Sequence, residues 1–228
     1  MPEHVHVELP EELHEGSHPP VSHRERLFEL VAVLLLSVAT VCIAWSGYQA
    51  AKWSGLQARR YAQASTARSQ ANRVSTLGGQ ERLQDLTNFN RWLELTTEST
   101  PGDLELADLY NRRFRPEFRP AFTAWLAQDP LHSLKAIPSP LLMPQYKIAN
   151  LVKADHLESL GNERFNQAKE ATEHADDYIF GTVFFAAVLF FGAMSMRFDW
   201  VPMRATVLIL ALVFLGYGVA KLLSLPTL

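Results

Sequence analysis

Three windows of this chain are almost free of charge, and each is about as long as a bilayer is thick. Leu27–Gln49 carries only Glu29, one turn inside its start. Tyr178–Met196 carries no charge, and Ala205–Leu223 carries only Lys221, near its end. A hydrocarbon core of about 30 Å needs roughly 20 apolar residues at 1.5 Å rise each. The windows therefore predict three membrane-spanning helices instead of the core of a soluble domain. Lys221 sits where a long side chain can reach the headgroups. Composition alone conceals this. The chain has 228 residues, 48% hydrophobic and 20% charged, with a formal charge of −3, which is ordinary for a soluble domain. That average mixes the apolar windows with a stretch between the first two that holds 16 Lys/Arg and 16 Asp/Glu. Such a balance excludes a strongly basic nucleic-acid binder. A single cysteine, Cys42, excludes an intrachain disulfide framework and a Cys-based metal cluster.

The segment before the first span lacks a basic n-region and an Ala-x-Ala cleavage site, so the span reads as a retained signal anchor. Arg24 and Arg26 precede it, and Arg197 and Arg204 bracket the turn between the second and third spans. Basic residues near short loops mark the cytoplasmic side. The N-terminus is expected in the cytoplasm and residues 52–177 outside it. Lys52, Arg59 and Arg60 argue the other way, but loops this long translocate largely regardless of charge.

Residues 1–22 hold His4, His6, His14 and His18 among glutamates and prolines, and read as a disordered acidic tail. His4 and His6 are close enough to share one ion, but a solvated tail fits the composition better. Ser22-His23-Arg24-Glu25 has capping-box spacing and starts a helix. No proline follows until Pro101, and the first double glycine is Gly78-Gly79. On the far side, no proline lies between Pro144 and Pro202. Each stretch allows a helix of about 80 Å, of which a bilayer takes about 30 Å. The expected fold is therefore an all-α integral membrane protein with three transmembrane helices. A long antiparallel helical stalk and a small helical cap lie between spans one and two. The segments are 1–22 tail, 23–51 first span, 52–78 stalk, 79–146 cap, 147–177 return stalk, 178–197 second span, 198–203 cytoplasmic turn and 204–225 third span.

On the first helix, Ser46, Ala50, Ser54, Ala58 and Ala62 recur every fourth position, with Gly47, Ala51 and Gly55 alongside. Such a face lets another backbone come close. Its partner is either the return helix, through Ile148, Leu151, Phe165, Ala168, Ala171, Ala175 and Ile179, or a copy of the same helix in an oligomer. The return stretch does not sustain clean heptads around Gly161. In the cap, Gln80–Thr97 is amphipathic, and Thr100-Pro101-Gly102-Asp103 forms a turn whose Asp can cap the next helix. Phe114, Phe118, Phe122 and Trp125 read as the cap's own core. Ala136–Tyr146, with three prolines, reads as extended.

Signatures of catalysis and of cofactor binding are absent from the sequence. No enzyme activity, cofactor or metal is expected. Arg112, Arg113, Arg115 and Arg119, interleaved with phenylalanines, can grip an anionic group or a lipid head. Local salt bridges to Asp103, Glu105, Asp108 and Glu117 are the alternative use. Asp176 and Asp177 mark the membrane boundary beside Tyr178, or pair as a cation site. The spans hold no central ionisable residue, which disfavours an ion-coupled transporter.

Arg113–Ala127 (RFRPEFRPAFTAWLA), Pro138–Tyr146 (PSPLLMPQY) and Asp177–Ala186 (DYIFGTVFFA) occur in this order, after Ala44–Ala50 (AWSGYQA) and Trp53-Ser-Gly55. In these blocks the chain resembles a family of uncharacterised bacterial inner-membrane proteins with one span, a helical segment and two further spans. The resemblance covers about residues 24–225. It implies a location in the bacterial inner membrane and that fold, but no activity. The functional expectation is a non-enzymatic, multi-pass, homo-oligomeric protein that serves assembly, sensing or partner binding. The lipid bilayer is its first partner, an unknown protein at the cap is a further one, and nucleic acid is not. The alternative is an oligomeric pore or channel lined by the first helix.

Overall fold

The computed structural model describes residues 23–98, 100–133 and 135–228. The tail 1–22, with its His4-x-His6 strip, and Ser22 of the capping box lie outside them. Among the described residues every regular element is helical. These are α1 (His23–Glu98), α2 (Pro101–Arg113), α3 (Arg119–Leu126), a 3₁₀ turn (Pro140–Leu142), α4 (Ala149–Ser195) and α5 (Val201–Ser224). Three of them, α1, α4 and α5, are long and apolar enough to cross a membrane.

The chain forms two compact units. One combines the segment up to Trp53 with Glu173–Leu228, and the other is Ser54–Thr172. In the first, α1, α4 and α5 pack through Ala32, Leu35, Ala39, Phe185, Val188, Leu208 and Ala211. Small residues set the spacing. A Cβ on Gly218 would lie 2.9 Å from the Phe185 ring, and one on Gly192 would lie 3.1 Å from Leu36. This interior is thin. Within the most apolar windows of α1, α4 and α5 only 17%, 33% and 22% is buried. The outer surface carries Leu34, Val38, Phe180, Phe190, Ile209 and Val213. A water-soluble monomer rarely exposes so continuous an apolar belt, whereas lipid is its natural surround.

In the second unit α1 and α4 run antiparallel. Gly78 meets Leu151, Arg68 meets Asn162, and Tyr61 meets Phe165. Positions facing the partner recur at steps of three, four or their sum of seven: Ala64, Ala67 and Ala71 on α1, and Ala154, Gly161, Ala168 and Ala171 on α4. That is the seam of a left-handed helix pair. Its small side chains bring the backbones close, and a Cβ on Gly161 would meet Arg68 Cγ at 2.9 Å. The heptad-like seam therefore continues through the stretch around Gly161, where the sequence pattern looked too loose to hold one.

A second difference concerns the end of the first helix. α1 does not stop at Gly78-Gly79 but continues to Glu98, so the expected boundary between residues 78 and 79 falls inside one helix. Each interior glycine costs about 1 kcal/mol relative to alanine. Gly78 offsets that cost by contact, since a Cβ there would lie 2.7 Å from Leu151. The far end of α1 packs against α2, α3 and the 3₁₀ turn through Phe89, Trp92, Leu95, Phe114, Phe118, Phe122 and Trp125. Their rings meet mainly edge to face, as in Phe89–Trp125 at 5.1 Å and Trp92–Phe122 at 4.8 Å. The expected aromatic stripe is thus core. Thr100 caps α2 and Asp103 reciprocates, with Pro101 inside the first turn, so the whole tetrapeptide is a helix start. Pro140 begins a 3₁₀ turn in the proline-rich segment, capped by Ser139.

Candidate functional site

The small-residue face of α1 divides on folding. Ser46 and Ala50 are buried within the first unit. Gly47 and Ala51 in that unit are exposed, as are Ser54, Gly55, Ala58 and Ala62 in the other. No atom lies within 4 Å of a Cβ built on Gly47 or Gly55. The return helix therefore takes an adjacent face, through Ala64, Ala67 and Ala71, and leaves most of the stripe open. In the first unit Ser46 Oγ is buried without a hydrogen-bond partner.

The four arginines are not gathered into one basic patch. Arg115 is largely buried and bridges Glu81 at 3.1 Å and Asp85 at 3.1 Å. Arg112 pairs with Asp108 at 3.2 Å on the surface. Arg119 donates to the backbone carbonyls of Phe114 (3.2 Å) and Arg112 (3.1 Å), and so closes the C-terminal end of α2. Arg113 is exposed. Of the four local acids, Asp108 is the one that forms an ion pair with these arginines among the described residues.

The centre of that network is Asp85, on the buried side of α1. It accepts from Arg115 Nε at 3.1 Å and from the Tyr146 hydroxyl at 3.0 Å. Next to it, Asn150 donates to Glu81 at 2.8 Å. Burial pushes the Asp85 carboxyl above the usual carboxylate range, although Arg115 and Tyr146 pull the other way. Burial and the Asp85 charge push the Tyr146 hydroxyl up as well. Burial works against the Arg115 charge, but Asp85 and Glu81 outweigh it and raise the guanidinium further. The network ties α1 to the α2–α3 link and to the start of α4. Thirty residues separate Asp85 from Arg115 and 61 separate it from Tyr146, so no local spacing announces the set.

A second cluster missed in the sequence lies in the first unit, where the segment after α5 folds back onto α1 and α4. The Pro226 carbonyl accepts from Trp53 Nε1 and from the Tyr178 hydroxyl, each at 3.1 Å. The Leu228 N–H donates to buried Gln49 at 3.2 Å. His174 lies against the Trp53 ring at 4.5 Å. Asp177 pairs with Lys221 at 3.2 Å, while Asp176 is exposed. Among the described residues no three His, Cys, Asp or Glu side chains come together as a metal-binding group. No protein-family model, curated protein or solved structure matches the chain.

Proposed function

We propose that this chain is a non-enzymatic, homo-oligomeric membrane protein with three spans, in which residues 52–177 form an extracytoplasmic helical stalk and cap. The reading places it in a bacterial inner membrane with the N-terminus in the cytoplasm, and its role is assembly, sensing or partner binding. The observation that carries it is the open small-residue face. The chain's own helices are already packed, yet Gly47 and Gly55 face empty space on a helix lined with Ala and Ser. Small residues at such spacing are what helices in membranes use to approach one another. The apolar belt left outside the three-helix unit supports the membrane setting.

The test is Gly47→Leu and Gly55→Leu in the full chain, extracted with its surrounding lipid. Since neither side chain meets an atom of its own chain, the thermal stability of the fold is expected to hold. The oligomer is expected to fall apart to monomers. An unchanged subunit number would remove this face as the interface.

A further inference from the structure

In the second unit α1 and α4 turn outward two faces of opposite charge, and neither is answered by an ion pair among the described residues. From Leu30 to Gln80 the sequence holds Lys52, Arg59, Arg60, Arg68 and Arg73 and not one acid. Arg59 and Arg73 lie on the side of α1 opposite the Ala64–Ala67–Ala71 seam, with Ala62 and Ser69 between them, all exposed. On α4 the side opposite Ala154, Gly161 and Ala168 carries Asp155, Glu163 and Glu170, with His156, Ser159 and Asn166, all exposed and with no lysine or arginine on that face. Lys153 and Lys169 sit on its flanks. Among the described residues no ion pair joins α1 to α4 in this unit. Arg60 bonds to Gln63 of its own helix, and Arg68 bonds to Asn162 and covers the Phe165 ring.

We propose that the partner of the basic α1 face is the acidic α4 face of a second copy of this chain. The interface is then heterologous, each copy offering α1 to one neighbour and α4 to the other. This deepens the oligomeric reading above and rests on it. Heights along the helix pair support the match. Arg73 lies between the Gly78–Leu151 and Arg68–Asn162 levels, the height of Asp155 and Glu158. Arg59 lies half a turn beyond the Tyr61–Phe165 level, the height of Gln167 to Glu170. In a ring whose axis follows the helix pair, residues level within one copy stay level between copies. Arg59 then meets Glu170 and Arg73 meets Asp155 without any shift. Surface ion pairs are individually weak, so these pairs choose the partner and the register, while Ala62 and Ser69 let the helices come close. A heterologous interface closes into a ring when its rotation divides the circle.

The test uses the full chain with Cys42→Ala. Ala62→Cys and Asn166→Cys are carried by separate, differently tagged copies expressed together, and the membranes are oxidised. A mixed α1–α4 disulfide is expected, and one chain carrying both cysteines gives a ladder beyond dimer. Arg59→Glu with Arg73→Glu is expected to cut the mixed yield at least fivefold. A partner carrying Asp155→Lys and Glu170→Lys is expected to restore it. Ala62→Cys linking only to itself would overturn the heterologous interface but leave the oligomer standing. A native subunit number without any link between α1 and α4 would do the same. A monomer throughout would end both readings. If charge reversal lowers binding to anionic lipid vesicles and leaves the disulfide yield unchanged, the charges serve lipid and the proposed pairing is wrong.

Discussion

Asp85 is the residue on which the largest single-site effects are expected. It is 1% exposed and holds both Arg115 and Tyr146. Removing one member of a buried ion pair costs about 3–5 kcal/mol, because the other charge stays behind. Arg115 keeps Glu81, so Asp85→Ala should lie near the lower end, about 3 kcal/mol. Tyr146→Phe removes one hydrogen bond to a charged group and should cost about 1.5–3 kcal/mol. Thermal unfolding followed by fluorescence of the buried Trp92 and Trp125 reads both changes. The pH dependence has a definite sign. Burial holds the Asp85 carboxyl above the usual carboxylate range, so the folded state takes up its proton before the unfolded chain does. That contribution is complete below the unfolded pKa and is lost as pH rises through the folded one. Lowering the pH from 7 toward 4 should therefore raise the wild-type midpoint relative to Asp85→Asn. A relative fall would show that the Arg115 charge outweighs burial. The arginine cluster was legible as a run, but not its division of labour. Arg112 and Asp108 are one helical turn apart and could be read as a pair, whereas the partners of Arg115 come from α1 and could not.

At the scale of elements, two adjacent glycines separate packing from propensity. Gly78 faces Leu151, with Cγ 2.8 Å and the backbone nitrogen 3.1 Å from a built Cβ, whereas Gly79 faces open space. Gly79→Ala should stabilise α1 by about 0.4–1 kcal/mol, because alanine restricts the unfolded chain and suits a helix. Gly78→Ala should destabilise it, since neither the Leu151 branch point nor its backbone yields cheaply. Differential scanning calorimetry of the two variants is the check, and equal shifts would contradict the contact. This pair also shows why the first helix reads too short in the sequence. A double glycine is a strong local stop signal, and what overrides it is a leucine 73 residues further on. The spans were legible because a bilayer imposes length and apolarity together. The small-residue stripe was legible as spacing, but the choice of face was not. Alanines at 64, 67 and 71 look much like those at 58 and 62 until α4 is in place.

For the whole molecule, the proposed orientation puts residues 52–177 on the extracytoplasmic side of the membrane. Glu105→Cys in a Cys42→Ala background puts a thiol on the exposed surface of α2. A maleimide that cannot cross membranes should label it in intact cells, and labelling only after lysis would reverse the orientation. The two charged faces were hidden in the sequence because charge balance over 52–177 conceals a basic stretch of α1 and an acidic outer face on α4. Only the antiparallel packing shows that these two faces stay apart within one chain. The most direct test of the central claim is the mass of the untagged protein released from its membrane together with surrounding lipid. One dominant species is expected at an integer multiple, greater than one, of the 25.7 kDa chain, persisting on dilution. A species of 25.7 kDa at every concentration would contradict it.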